Sequence, residues 1–68
     1  MTLAEAAKLA QDREQYDSMP ITLVTASGKR VPAQWEDAYM GIIRIGSNIV
    51  YEDTLEQLGV TVDVSVDL

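Results

Sequence analysis

The last nine residues, Val60 to Leu68, alternate without a break. Val60, Val62, Val64, Val66 and Leu68 fall on one side of an extended chain; Thr61, Asp63, Ser65 and Asp67 fall on the other. Successive side chains of a strand point to opposite faces of a sheet, so this pattern predicts a strand with one buried and one wet face. Such a strand needs others to pair with it and an apolar element to cover its inner side. The five aliphatics are expected to supply a large share of the core.

The chain of 68 residues reads as a single domain, 1–68. A chain this short buries only about 60% of the surface its unfolded form exposes. It contains no cysteine and no histidine, so disulfides and His- or Cys-based metal sites are not available to staple it. The remaining routes to stability are close packing of helix on sheet, or self-association. Met1 to Ala10, the first apolar stretch, carries Glu5 and Lys8, unlike a secretory signal. No run approaches the roughly 18 apolar residues of a membrane span. The expectation is a cytoplasmic protein with no membrane partner.

Thr2 followed by Glu5 is a capping-box pattern, and strong helix formers continue to about Tyr16. On a 3.6-residue period Leu3, Ala6, Ala7 and Ala10 share one side, flanked by Leu9 and Tyr16. Asp17, Ser18 and Pro20 are expected to end this helix. Ile21 to Ala26 reads as a strand, and Ser27-Gly28 as a turn. Val31, Ala33 and Trp35 then alternate onto one face. Pro32 cannot donate a ladder bond, which predicts an edge strand, or else a short helix through Tyr39 opened by Pro32. Tyr39 to Ile45, a turn at Gly46-Ser47-Asn48, and Ile49 to Glu52 read as a β-hairpin. Thr54 to Leu58 reads as one helical turn, with Asp53 as N-cap and Gly59 closing it. The fold class that follows is α+β: one N-terminal helix on one face of an antiparallel sheet of four or five short strands.

The charge is lopsided. Residues 31–68 hold Glu36, Asp37, Glu52, Asp53, Glu56, Asp63 and Asp67 against the single cation Arg44, while residues 1–30 are balanced, so the net charge of −6 sits in the C-terminal part. This repels nucleic acid and anionic membrane and attracts basic surfaces. Strand geometry places Asp63 and Asp67 about 13 Å apart on one wet face. Glu52, Asp53 and Glu56 form a second group. The plain alternative is that these acids only keep a small apolar-rich domain dispersed.

Catalytic machinery is not evident. Without His there is no imidazole base, and without Cys no thiol nucleophile. Glu36-Asp37 and Glu52-Asp53 are neighbours in sequence and, on strands, would point to opposite faces. Asn48, Glu52, Asp53 and Glu56 are close enough to hold a divalent ion weakly, but calcium takes six or more oxygens in a shaped loop, so no metal and no cofactor is expected. Ser27-Gly28-Lys29-Arg30 offers a Gly turn beside two cations, but it lacks the remaining phosphate-loop residues and reads as a hairpin turn. Trp35 is in phase with Val31 and Ala33 and is expected in the core; Tyr39 and Tyr51 suit either a core or a binding surface.

Asp37-Ala38-Tyr39-Met40-Gly41-Ile42 looks like the Asp-x-x-Met-Asn-hydrophobic stretch of Sm-like RNA-binding proteins, and Arg44 to Tyr51 is loosely similar to their Arg-Gly-x-x-Ile motif. An N-terminal helix before a strand also fits. However, the two fragments abut here, Gly41 replaces the base-contacting Asn, Ile45 interrupts Arg-Gly, and the charge opposes RNA. The likeness is one of β-hairpins, and no site residue is carried over from it.

The functional expectation is a non-catalytic, acidic protein-binding module. It would occupy the basic surface of a nucleic-acid-handling host protein, in the style of phage or mobile-element anti-CRISPR and anti-restriction inhibitors, an analogy of size and charge. Its partner-binding residues would be Glu36, Asp37, Glu52, Asp53, Glu56, Asp63 and Asp67, with no direct nucleic-acid contact and a homodimer as one arrangement. The alternative is a homo-oligomeric structural or assembly subunit joined through strand edges.

Overall fold

The N-terminal helix begins where the capping box places it. In the computed structural model, which describes residues 1–63, helix α1 spans Leu3–Asp12 with Thr2 as N-cap. The Thr2 hydroxyl accepts from the Glu5 N–H at 3.1 Å, and the Thr2 N–H donates to the Glu5 carboxylate at 2.8 Å. Strands β1 (Pro20–Val24), β2 (Arg30–Asp37), β3 (Ile42–Ile45) and β4 (Asn48–Tyr51) follow, then helix α2 (Glu52–Gln57) and strand β5 (Thr61–Asp63). The five strands form one antiparallel sheet in the order β4-β3-β2-β1-β5. The α+β class and the helix-on-sheet arrangement are as the sequence predicts.

Cross-strand register decides what faces the helix. Ile21 lies opposite Ala33, Leu23 opposite both Val31 and Val62, Trp35 opposite Ile43, and Ile43 opposite Val50. These residues share one face, and Leu3, Ala6, Ala7 and Ala10 of α1 pack into the same core. The alanines add little area of their own, and Leu3 is the large side chain that the helix buries completely. Met19, Ala38 and Leu55 of α2 complete the core. Trp35 is fully buried, as its phase with Val31 and Ala33 predicts, although its indole N–H has no hydrogen-bond partner. The unpaired donor costs on the order of 1–3 kcal/mol, which the burial of the large ring offsets.

Val62 is likewise buried, and Val60 packs against the core, so the alternation of the final segment holds over its described part. Val64, Val66, Asp67 and Leu68 lie outside the described residues. On its outer side β5 meets Met1: the Met1 nitrogen donates to the Val62 carbonyl at 2.8 Å, and the Val62 N–H donates to the Met1 carbonyl at 2.9 Å.

Several boundaries differ from expectation. Helix α1 stops at Asp12, well before Tyr16 and Pro20. Glu14 takes a left-handed φ of 57°, the Gln15 N–H reaches back to Ala10 O at 2.8 Å and the Glu14 N–H to Gln11 O at 3.1 Å. These two bonds are a Schellman closure, which ends a helix without a proline. Gly59 ends α2 in the same way, as predicted, with the Val60 N–H on Leu55 O and its own N–H on Glu56 O, both 3.0 Å.

Pro32 does not mark an edge strand. Strand β2 is the middle strand of the sheet. The proline is tolerated because β3 pairs only with residues from Gln34 onward, leaving β2 one-sided at Pro32. The Trp35 N–H bonds Met19 O on the β1 side, and the strand's alternation then turns the Pro32 nitrogen away from β1. Residues 30–37 are strand rather than helix. Tyr39 and Met40 belong to the turn before β3, not to a strand. Glu52 and Asp53 lie on α2, where Tyr51, not Asp53, is the N-cap and no side chain caps the helix. The first helical N–H, that of Glu52, instead donates to Gly41 O at 2.8 Å.

Candidate functional site

The six described acids of the C-terminal part separate into three environments. Glu36 is on the face of β2 away from α1, where both its oxygens are held by Arg44 of β3, at 2.8 Å from Nε and 3.0 Å from the second guanidinium nitrogen. Arg44 draws the Glu36 carboxyl below its ordinary range, and the Arg44 guanidinium is correspondingly raised. Asp63 pairs with Arg30 across β1. Asp37 folds back on its own turn, its Oδ1 accepting from the Tyr39 N–H at 3.0 Å and the Met40 N–H at 3.2 Å. Such a bond is how Asp shapes a local turn, so this carboxylate organises the β2–β3 connection. Asp67 lies outside the described residues.

Glu52, Asp53 and Glu56 remain. One carboxylate oxygen from each can lie within 4.8 Å of the others, a grouping that exists because α2 replaces the expected strand ending. Among the described residues the ion pairs are Arg30–Asp63 and Arg44–Glu36, so none of the three is matched by a cation. Glu52 is partly buried, and its carboxyl is held above its ordinary range, first by that burial and then by the charges of Glu56 and Asp53. The group consists of three carboxylates, and Asn48 stands at the opposite end of β4 from Glu52.

Beside this group runs a cleft of about 340 Å³, between α1 and the β2–β3 turn on one side and the β4–α2 junction on the other. Glu52 and Asp53 stand on its wall with Tyr39, Met40, Tyr51 and Gln11. The turn is fixed to α1 and its exit: Gln11 Nε2 donates to Ala38 O at 3.2 Å, the Ala38 N–H donates to Tyr16 O at 2.8 Å, and the Tyr16 and Tyr39 rings meet edge to face with centroids 5.3 Å apart. Tyr39, Met40 and Tyr51 are nonetheless 64%, 70% and 58% exposed, so these large apolar side chains belong to a surface, in contrast to Trp35.

Gly41 sits at the base of the arrangement with φ 69°, and a Cβ there would stand 3.3 Å from the Glu52 Cβ. A glycine is thus what lets the turn pass close under Glu52. The sequence identifies Glu52, Asp53 and Glu56 as a group, and Tyr39 and Tyr51 as candidate contacts. It does not reveal Gln11 or Gly41, which reach the site only through the packing of α1 and of the turn.

Comparisons with protein-family models, curated proteins and solved structures give no match to this chain.

Proposed function

We propose that this chain is a non-catalytic protein-binding module that docks on a basic partner surface through α2 and the adjoining cleft. The carrying observation is that Glu52, Asp53 and Glu56 have no cationic partner among the described residues and stand beside three exposed large apolar side chains. Acids steer and select a cationic partner, and desolvated aromatic side chains supply most of the affinity. The net charge of −6 favours a partner whose basic surface evolved to hold phosphate, so an inhibitor that occupies such a surface in place of nucleic acid is the form of the module we favour. Glu36 and Asp63, each already held by an arginine, contribute less to this reading than α2 does.

The test is capture of partners from a host extract by the parent protein and by two charge-reversal sets. Reversal of Glu52, Asp53 and Glu56 to Lys should abolish capture of a cationic protein, and raised salt should slow its association, since exposed charges are screened over about 10 Å at 0.1 M. Reversal of Glu5 and Asp12 should leave capture intact. Equal behaviour of the two sets would overturn the reading.

A second reading is a homo-oligomer joined through a strand edge. It is favoured by β4, which pairs with β3 alone among the described residues and carries the exposed Ile49 and Tyr51. Light scattering across a concentration series distinguishes it: salt-insensitive particles that vanish in Ile49→Lys support this reading over the first.

A further inference from the structure

Resting on the second of the two readings above, we infer that the outer edge of β4 pairs antiparallel with β4 of a second copy, about a two-fold axis at Val50, and that the assembly stops at the dimer. The hydrogen-bond pattern decides which groups this edge offers. The Glu52 N–H donates toward β3, to Gly41 O at 2.8 Å, in register with the Ile42–Tyr51 and Ile43–Val50 pairs. Alternation then turns the backbone N–H groups of Asn48 and Val50 to β3, and those of Ile49 and Tyr51 outward. Among the described residues no strand lies on that outer side.

The two edges of the sheet are guarded differently. On β5 the N–H and carbonyl of Val62 are both taken by Met1, at 2.9 and 2.8 Å. Proteins blunt an open edge with such a covering segment, or with charge, proline or a bulge. Asn48-Ile49-Val50-Tyr51 contains no charge and no proline, its register with β3 is unbroken, and Ile49 and Tyr51 are exposed. A second copy is the strand that fits it. Ile49 and Tyr51 share the face away from α1 with Ile42 and Arg44. With the axis at Val50, Ile49 of each copy stands opposite Tyr51 of the other. The two exchange backbone hydrogen bonds, and a β-branched–aromatic pair forms twice. A foreign strand has no such built-in match. A head-to-tail row of copies would need the β5 edge that Met1 covers, so the contact closes on itself. Both copies carry −6, so raised salt should not weaken the pairing, the reverse of capture of a basic partner.

The experiment is sedimentation velocity of the whole chain across a concentration series at low and high salt, with cysteine cross-linking beside it. We expect a monomer–dimer equilibrium with no larger species. Ile49→Pro removes only an outward donor, because β3 is held through Asn48 and Val50. It should keep cooperative melting and weaken the dimer about tenfold, one hydrogen bond being lost from each copy. The parent has no cysteine, so a single one reports on the axis. Val50→Cys should cross-link rapidly with oxidised glutathione, since residues opposed at such a site have Cα atoms about 4.5 Å apart. Asn48→Cys, two residues off the axis in each copy, should cross-link far more slowly.

The cysteine pair decides the matter even if Ile49→Pro fails to fold. The inference and the reading it rests on fail differently. Species larger than a dimer, a dimer that a folded Ile49→Pro leaves intact, or equal cross-linking of the two cysteine variants would overturn the two-fold pairing. If Ile49→Lys still disperses the assembly in that case, self-association through the β4 edge stands. A chain that is monomeric at every concentration and cross-links equally slowly at both positions overturns both, and leaves the edge to a foreign strand.

Discussion

The two faces of the sheet are made from the same strands and could hardly differ more. The face toward α1 is aliphatic and aromatic, and the register stacks Leu23 between Val31 and Val62 and Ile43 between Trp35 and Val50. The opposite face carries Arg30 paired with Asp63 and Arg44 paired with Glu36, all of them partly in water. Burial on the inner face holds the fold, and the outer face neutralises its own charges. The acids without a cationic partner among the described residues lie on neither face but on α2, at the end of the sheet.

The most damaging way to break this division is to place a charge on the inner face. Val62→Asp would bury a carboxylate with no partner at a position 1% exposed, at a cost of more than about 3 kcal/mol. A domain this small has little more than that to lose, so thermal unfolding should no longer be cooperative. A normal melting curve would show that β5 is not part of the core.

Leu3→Ala removes the one large side chain that α1 buries completely. The expected loss is about 2–5 kcal/mol, read as a lower denaturant midpoint with an unchanged slope. A change under about 1 kcal/mol would mean that the sheet does not depend on its helical cover.

The two helix ends sharpen the comparison at an intermediate scale. Both close by the same pair of hydrogen bonds, but Glu14 occupies the left-handed position in α1 that Gly59 occupies in α2. Glu14→Gly should raise stability by about 0.5–1 kcal/mol, and Gly59→Ala should lower it by about 1 kcal/mol. Both are measured by chemical denaturation, and effects of the same sign would contradict the assigned closures.

Glu52 gives a smaller, pH-dependent effect. Its raised pKa means that the native state holds the proton more tightly than the unfolded chain does. The charged form therefore costs stability at neutral pH, and the cost is relieved as pH falls through the raised value toward the ordinary 4.5. Glu52→Gln should melt above the parent at neutral pH, with the gap closing near pH 4.5. Glu5, drawn down chiefly by hydrogen bonding to the Thr2 backbone, and Glu36, drawn down by Arg44, have the opposite sign. Their contribution is present above the ordinary value and is lost as pH falls through the lowered one, in parent and variant alike.

Smallest of all should be Arg30→Gln on the outer face. It breaks an ion pair whose partners are 57% and 42% exposed, and such pairs contribute little. The melting temperature should move less than in Glu14→Gly. A larger drop would show that the outer face shares in holding β1 and β5 together.

How much of this was legible beforehand follows from the range of each interaction. The capping box at Thr2 and Glu5, the buried stripe of Leu3, Ala6, Ala7 and Ala10, the alternation of Val31, Ala33 and Trp35, and the closure at Gly59 are all written in residues a few positions apart, and each is found where the sequence places it. The early stop of α1 was hidden because a left-handed Glu14 has no sequence signature comparable to glycine's. Pro32 misled because a proline reports only that its own nitrogen lacks a partner, not that its whole strand does.

Local pattern was enough for the class of fold, for the buried faces of β2 and of the described part of β5, and for the excess of acid in the second half of the chain. Tertiary structure alone decided which acids are spent. Arg44 reaches Glu36 because β3 lies beside β2, and Arg30 reaches Asp63 because β5 returns beside β1. Glu52 and Asp53 come to line one cleft with Tyr39, Tyr51 and Gln11 because α1 and the β2–β3 turn pack against the β4–α2 junction. Periodicity is a local property of a chain and can be read along it, whereas charge neutralisation and cleft formation depend on contacts between distant segments that come together only when the core closes.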